Sequence, residues 1–187
     1  MKTVIKMLIT LSLIGVVSGA LLSQISGWAA PKIEMHRKAA TEKAIFMVQP
    51  LGKDYEKVNA IDFELYKVFD ESKNIIGYAM PYEGNGFQGK IRIMIGVKEN
   101  LNQLVGLEVL EQIETPGLGT KVTEEPFTKQ FIDLIARPQI DWVKGAPASK
   151  ENEIQAITGA TISSVAVVDI INAGLAKLRS VEEEGRL

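Results

Sequence analysis

From Met7 to Pro31 the chain carries no charged residue, and Met7 to Ile25 consists almost entirely of Leu, Ile, Val, Ala and Gly with scattered Ser, Thr and one Gln. At about 1.5 Å per helical residue, such a run spans a hydrocarbon core of roughly 30 Å. It is too apolar for the surface of a soluble domain, so roughly 150 of the 187 residues remain for one globular unit. A cleaved secretory signal is the competing reading, since Lys2 and Lys6 supply a positive start and Ser18-Gly19-Ala20 resembles a cleavage site. The apolar run continues well past Ala20, which favours a retained anchor at residues 1–31. Lys2 and Lys6 are balanced by Lys32, Arg37, Lys38 and Lys43 beyond the span, so charge does not set the orientation. Trp28 suits the membrane interface on the domain side.

Composition removes whole classes of function. A net charge of -2 offers nothing to a polyanion, so nucleic acid is not an expected partner. Without cysteine the chain holds no thiolate-bound iron–sulfur cluster, disulfide or cysteine nucleophile, and any redox chemistry must be organic. The single histidine, His36, cannot make a multi-histidine metal site.

Beyond the anchor, Lys32 to Val48 is rich in Ala, Lys, Glu and Met and stops before Pro50, which predicts a stalk helix over 32–50. Phe63 to Phe69 and Asn74 to Ala79 are β-prone, and Tyr82 to Gly86 reads as a turn. Ile91, Ile93, Ile95 and Val97 alternate with Lys90, Arg92, Met94 and Gly96, predicting a strand with one buried face, paired with Leu104 to Leu110. Pro126, Phe127, Phe131, Leu134 and Ile135 predict a helix with proline at its first position. Ile140 to Val143 reads as a short strand. A final helix is expected from Thr161 to about Arg179 with an apolar stripe, followed by a polar tail over 182–187. The expected fold is α+β, a mainly antiparallel sheet with flanking helices over residues 51–181.

Two segments stand out chemically. Thr158-Gly159-Ala160-Thr161-Ile162-Ser163-Ser164 places hydroxyls and a glycine where the last helix starts, and helix N-termini attract anions such as phosphate. On local physics alone, a Thr side chain that merely caps the helix is the simpler use. Glu114-Thr115-Pro116-Gly117-Leu118-Gly119-Thr120-Lys121 is either an ordinary Pro-Gly loop or a stretch of backbone that lets a flat ring lie close.

Taken together with Gly86-Phe87-Gln88-Gly89 and Pro126-Phe127 with Phe131, these segments resemble, in order and spacing, the FMN-binding domain family, in particular the G subunit of the Rnf-type ion-translocating electron-transport complexes. The C subunit of the sodium-translocating NADH:quinone reductase is a close relative. The resemblance implies an electron-transfer subunit, not catalytic alone, in a complex coupling ferredoxin/NAD electron transfer to ion translocation. It implies FMN joined by a phosphoester to Thr161 through a separate flavin transferase. Thr158, Gly159, Ala160, Ile162 and Ser163 would surround the phosphate, with Glu114, Thr115, Gly117, Leu118 and Gly119 beside the ring. Gln155 stands where the family usually has Asp. The resemblance further implies other membrane subunits as partners and a domain on the outer face of the cytoplasmic membrane. The rival of another class is a tethered binding or scaffold domain without covalent flavin.

Overall fold

The computed structural model describes residues 2–187, so Met1, the first residue of the expected anchor, lies outside the described residues. Lys2–Val48 form one helix, α1, in which Pro31 is accommodated without a break. It divides between two compact units, residues 1–40 and 41–187. Among the described residues of the first unit every large apolar side chain is exposed, and the helix is long and apolar enough to cross a membrane.

The second unit is built on a five-stranded antiparallel sheet in the order β1-β2-β3-β4-β5. Its strands are β1 (Asp54–Lys57), β2 (Tyr66–Phe69), β3 (Ile75–Asn85), β4 (Lys90–Lys98) and β5 (Leu104–Glu111). A short helix α2 (Glu125–Thr128) follows. Next come β6 (Asp141–Lys144) and β7 (Glu153–Ala156), paired in parallel as a separate two-stranded sheet, and the long helix α3 (Thr161–Glu183). The α+β class with flanking helices is as the sequence predicts.

Strand β4, interior to the sheet between β3 and β5, departs from the alternating expectation. Ile91, Ile93, Ile95 and Val97 are buried as expected, but Met94 is fully buried too. The reason is a cover on each face. Ile91, Ile93, Ile95 and Val97 join Val167, Val168, Ile171, Leu175 and Leu178 of α3 in the main core. On the opposite face, Met94 and Ala79 pack with Ala44, Ile45 and Val48 from the last turns of α1. A Cβ on Gly96 would lie 2.3 Å from the Val48 carbonyl oxygen, so this close seat of helix on sheet needs glycine. Gln49 continues the seam: its amide donates to the carbonyls of Tyr78 at 3.0 Å and Val97 at 2.9 Å. Arg92, on the same face, donates to the Thr41 hydroxyl at 2.9 Å and pairs with Glu111 at 3.4 Å.

Three further differences have local causes. Tyr82 to Asn85 is strand, because β3 pairs with β4 out to Asn85 opposite Lys90, and the turn is confined to residues 86–89, with the Gly86 amide bonded to the Gly89 carbonyl. The helix predicted around Phe127 to Ile135 stops after one turn and a 3-10 segment at Lys129–Phe131. Leu134 and Ala136 are drawn instead into backbone bonds with Leu104 and Asn102, and Asp133 takes φ 58°. Finally, α3 extends to Glu183 with Val181 buried, and Leu187 packs on the core. Near its end, Arg179 donates to the carbonyls of Leu101 at 3.0 Å and Ala136 at 2.8 Å.

The last turns of α1 are thus part of the folded unit. A chain beginning at Lys38 should unfold cooperatively, whereas one beginning at Leu51 should lose roughly 3–6 kcal/mol from Ile45 and Val48 alone, together with both Gln49 bonds. Urea denaturation of the two chains checks this, and equal midpoints would contradict it.

Candidate functional site

The start of α3, the β3–β4 turn, the segment after β5 and the end of β6 converge on one cleft of about 300 Å³. Phe87, Thr115, Leu118, Gly119, Lys144 and Gly159 to Ser163 line it. That volume lies at the lower end of small-ligand sites, which run from roughly 300 Å³ upward. Each wall has a local cause. Gly159 adopts φ 84°, a left-handed turn that suits glycine and brings the chain round into α3. The parallel pairing of β6 with β7 sets Lys144 opposite Ala156, five residues before Thr161, and so places its side chain at the same cleft.

The hydroxyls at the helix start are sorted by their partners. Ala160 occupies the cap position and no side chain caps the end, so the simple capping role is not what Thr161 performs. Thr161 is the first helical residue, half-buried on the cleft wall, and its hydroxyl has no partner among the described residues. Ser163 is buried and donates to Glu114 Oε2 at 2.5 Å. Ser164 is buried, donates to the Ala160 carbonyl and accepts from the Ile157 amide, both at 3.0 Å. Thr158 is exposed and borders a neighbouring hollow with Lys121, Phe127 and Gln155.

The Glu114 to Gly119 segment is likewise divided. Thr115, Leu118 and Gly119 line the cleft, whereas Glu114 lies beneath it and Gly117 does not border it. Glu114 accepts from the amides of Phe87 at 2.8 Å and Gln88 at 3.0 Å. Phe87, Leu118 and Ile162 leave apolar surface exposed at the rim. The backbone of Gln155 is bound at both its N–H and C=O by the Gln130 amide, at 2.7 and 3.2 Å.

Lys144 is the one charged side chain among the lining residues, and it had no signature in the sequence beyond a single lysine at a strand end. A cation and the N–H groups of a helix start suit a phosphate. A free hydroxyl beside them offers an attachment point, and Phe87 and Leu118 offer apolar surface to a flat ring. The donor set therefore fits a flavin mononucleotide.

Comparison with known proteins agrees. The FMN-binding domain family matches residues 86–176. The G subunit of the ion-translocating oxidoreductase complex of Methanosarcina acetivorans is 29% identical over 182 residues, covering 93% of this chain and 94% of that protein. The G subunit of the Na+-translocating ferredoxin:NAD+ oxidoreductase complex of Acetobacterium woodii is 29% identical, covering 93% and 91%. The crystal structure of NqrC from Shewanella oneidensis superposes with a TM-score of 0.56 at 26% identity, covering 59% of this chain and 54% of that one.

The tightest packing at the site is at Gly119, where a Cβ would lie 2.8 Å from Glu114 Oε2 and 2.8 Å from Ser163 Oγ. Gly119→Ala should therefore cost about 1–3 kcal/mol, read from the denaturant midpoint, and a variant as stable as the parent would refute this close packing.

Proposed function

We propose, from the match of residues 86–176 to the FMN-binding domain family, that this chain is the electron-carrying G subunit of a membrane-bound Rnf-type complex, holding FMN by a phosphoester to Thr161. The observation that carries the attachment site is the Thr161 hydroxyl, which faces the cleft at the start of α3 without a partner among the described residues. In attachment, Thr161 Oγ1 forms a new bond to the flavin-side phosphorus of FAD as the pyrophosphate P–O bond breaks. AMP leaves and the hydroxyl proton is released, with a flavin transferase as catalyst.

The roles of the remaining residues follow from charge and shape. N–H groups at 161–163, with Lys144, hold the phosphate charge. Phe87, Leu118 and Gly119 shelter the ring from water, and Thr115 adds a hydroxyl at the wall. Thr158 and Gly159 shape the turn into the helix, and Gly117 shapes the loop. A bound FMN supplies the one- and two-electron chemistry that no side chain of this chain offers.

Similarity along nearly the whole length to two G subunits favours that assignment over the C subunit of a quinone reductase, since the chain spans about half of NqrC. The partners are then the other membrane subunits of an oxidoreductase that couples ferredoxin/NAD electron transfer to ion movement. Residues 1–31 act as the anchor, and the flavin domain begins inside the segment expected as a stalk at 32–50 and takes in the expected tail at 182–187, since the folded unit runs over residues 41–187. A covalent tether suits a domain on the outer face, where a lost cofactor is not replaced from the cytoplasm.

Coexpressed with a flavin transferase, the chain should give a band on a denaturing gel that fluoresces under ultraviolet light. Thr161→Ala should abolish it. A dark parent band from coloured protein would mean non-covalent FMN, and colourless protein would leave the tethered scaffold. For orientation, a cysteine placed at the exposed Glu71 of this cysteine-free chain should react with an impermeant maleimide in intact cells. Reaction only in inverted vesicles would reverse the topology.

A further inference from the structure

Glu114 is 4% exposed, yet it borders no solvent-filled part of the cleft and, among the described residues, pairs with no lysine or arginine. A buried carboxylate without a cation must be compensated by donors. Here Oε1 accepts from the Phe87 and Gln88 amides at 2.8 and 3.0 Å, and Oε2 accepts from the Ser163 hydroxyl at 2.5 Å. These charge-assisted bonds join the β3–β4 turn to the third residue of α3, two segments far apart in sequence. The backbone is shaped around the carboxylate. A Cβ on Gly86 would lie 2.4 Å from Oε1 and one on Gly119 2.8 Å from Oε2.

Removing the carboxylate would leave the Phe87 and Gln88 amides and the Ser163 hydroxyl without their acceptor, at a cost in stability for each unpaired buried group, so a role in positioning is separated from one in stability by reading the site per folded molecule. We infer that Glu114 is the positioning residue of this site: through Ser163 and the Phe87–Gln88 amides, it fixes the helix start and the cleft wall so that, of the hydroxyls on the first turn of α3, Thr161 is the one left to react. This rests on the proposed attachment at Thr161 and assigns Glu114 a place behind the ring's wall and out of contact with the cofactor. The same bonds withdraw Ser163, which is 3% exposed, from competition as an acceptor. Ser164 is withdrawn by its own bonds to Ala160 and Ile157.

The test is a double-mutant cycle on rate. Purified full-length apo-protein in detergent is given FAD and flavin transferase, and initial covalent incorporation is read by in-gel fluorescence, with the labelled peptide mapped and the folded fraction measured by urea titration. Glu114→Ala and Ser163→Ala should each slow incorporation about tenfold per folded molecule. The double variant should be no more than about threefold slower than Glu114→Ala, because the two residues act as one unit. Glu114→Gln, which keeps an oxygen for the turn amides and a polar group facing Ser163, should recover to within about threefold of the parent. Folded single variants that load at the parent rate, or losses that multiply in the double, overturn the inference. Should Glu114→Ala not fold, Ser163→Ala decides alone, and the parent rate in that variant overturns it. A parent chain that accepts no flavin sinks the proposed function and this inference together, whereas a parent that loads beside unaffected variants sinks only the inference.

Discussion

Strand β4 is buried on both faces, and the arrangement of the whole folded unit follows from that. A strand covered on one side only would need one layer of helix. With Ile91, Ile93 and Ile95 facing α3 and Met94 facing the last turns of α1, two helices are required, one from each end of the chain. The hydrophobic stabilisation of the sheet therefore depends on residues that lie more than 100 positions apart. It also sets where α3 can start, because its apolar stripe packs in the main core with β3 and β4 while its first turn shares the Glu114 carboxylate with the β3–β4 turn.

The cleft forms at that first turn. Its walls come from the ends of strands and helices and from turns, while the sheet supplies the rigid base. Beneath it, one carboxylate satisfies two backbone amides and one hydroxyl at once. Polar groups buried in such a network must all be paired or the site loses its shape, which is why the glycines at 86 and 119 leave the carboxylate its room.

Much of this was legible in the sequence where a pattern is local. The uncharged run, the alternation in β4, the hydroxyl-rich start of α3 and the Pro-Gly segment each carry their own signal. What was not legible depends on partners distant in the chain. Nothing local in Met94 or Gly96 tells that a helix ending at Val48 covers them, so the second buried face was missed. The helix around Phe131 reads well by periodicity, yet Leu134 and Ala136 make backbone bonds to Leu104 and Asn102 that override it. The four-residue strands β1 and β7 are too short and too polar to show a period. At the site, the hydroxyl cluster was visible but its division of labour was not. Only the fold sets Ser163 against Glu114 and leaves Thr161 without a partner among the described residues.

Helix α3 is fastened near both ends: Ser163 is held by Glu114 at its start, and Arg179 grips the carbonyls of Leu101 and Ala136 towards its end. A helix pinned in this way cannot slide along its axis. A redox group tethered to its first residue would then keep a constant gap to whatever centre it exchanges with, and since electron tunnelling weakens steeply with distance, the two clamps would act as a gauge for the rate of the jump.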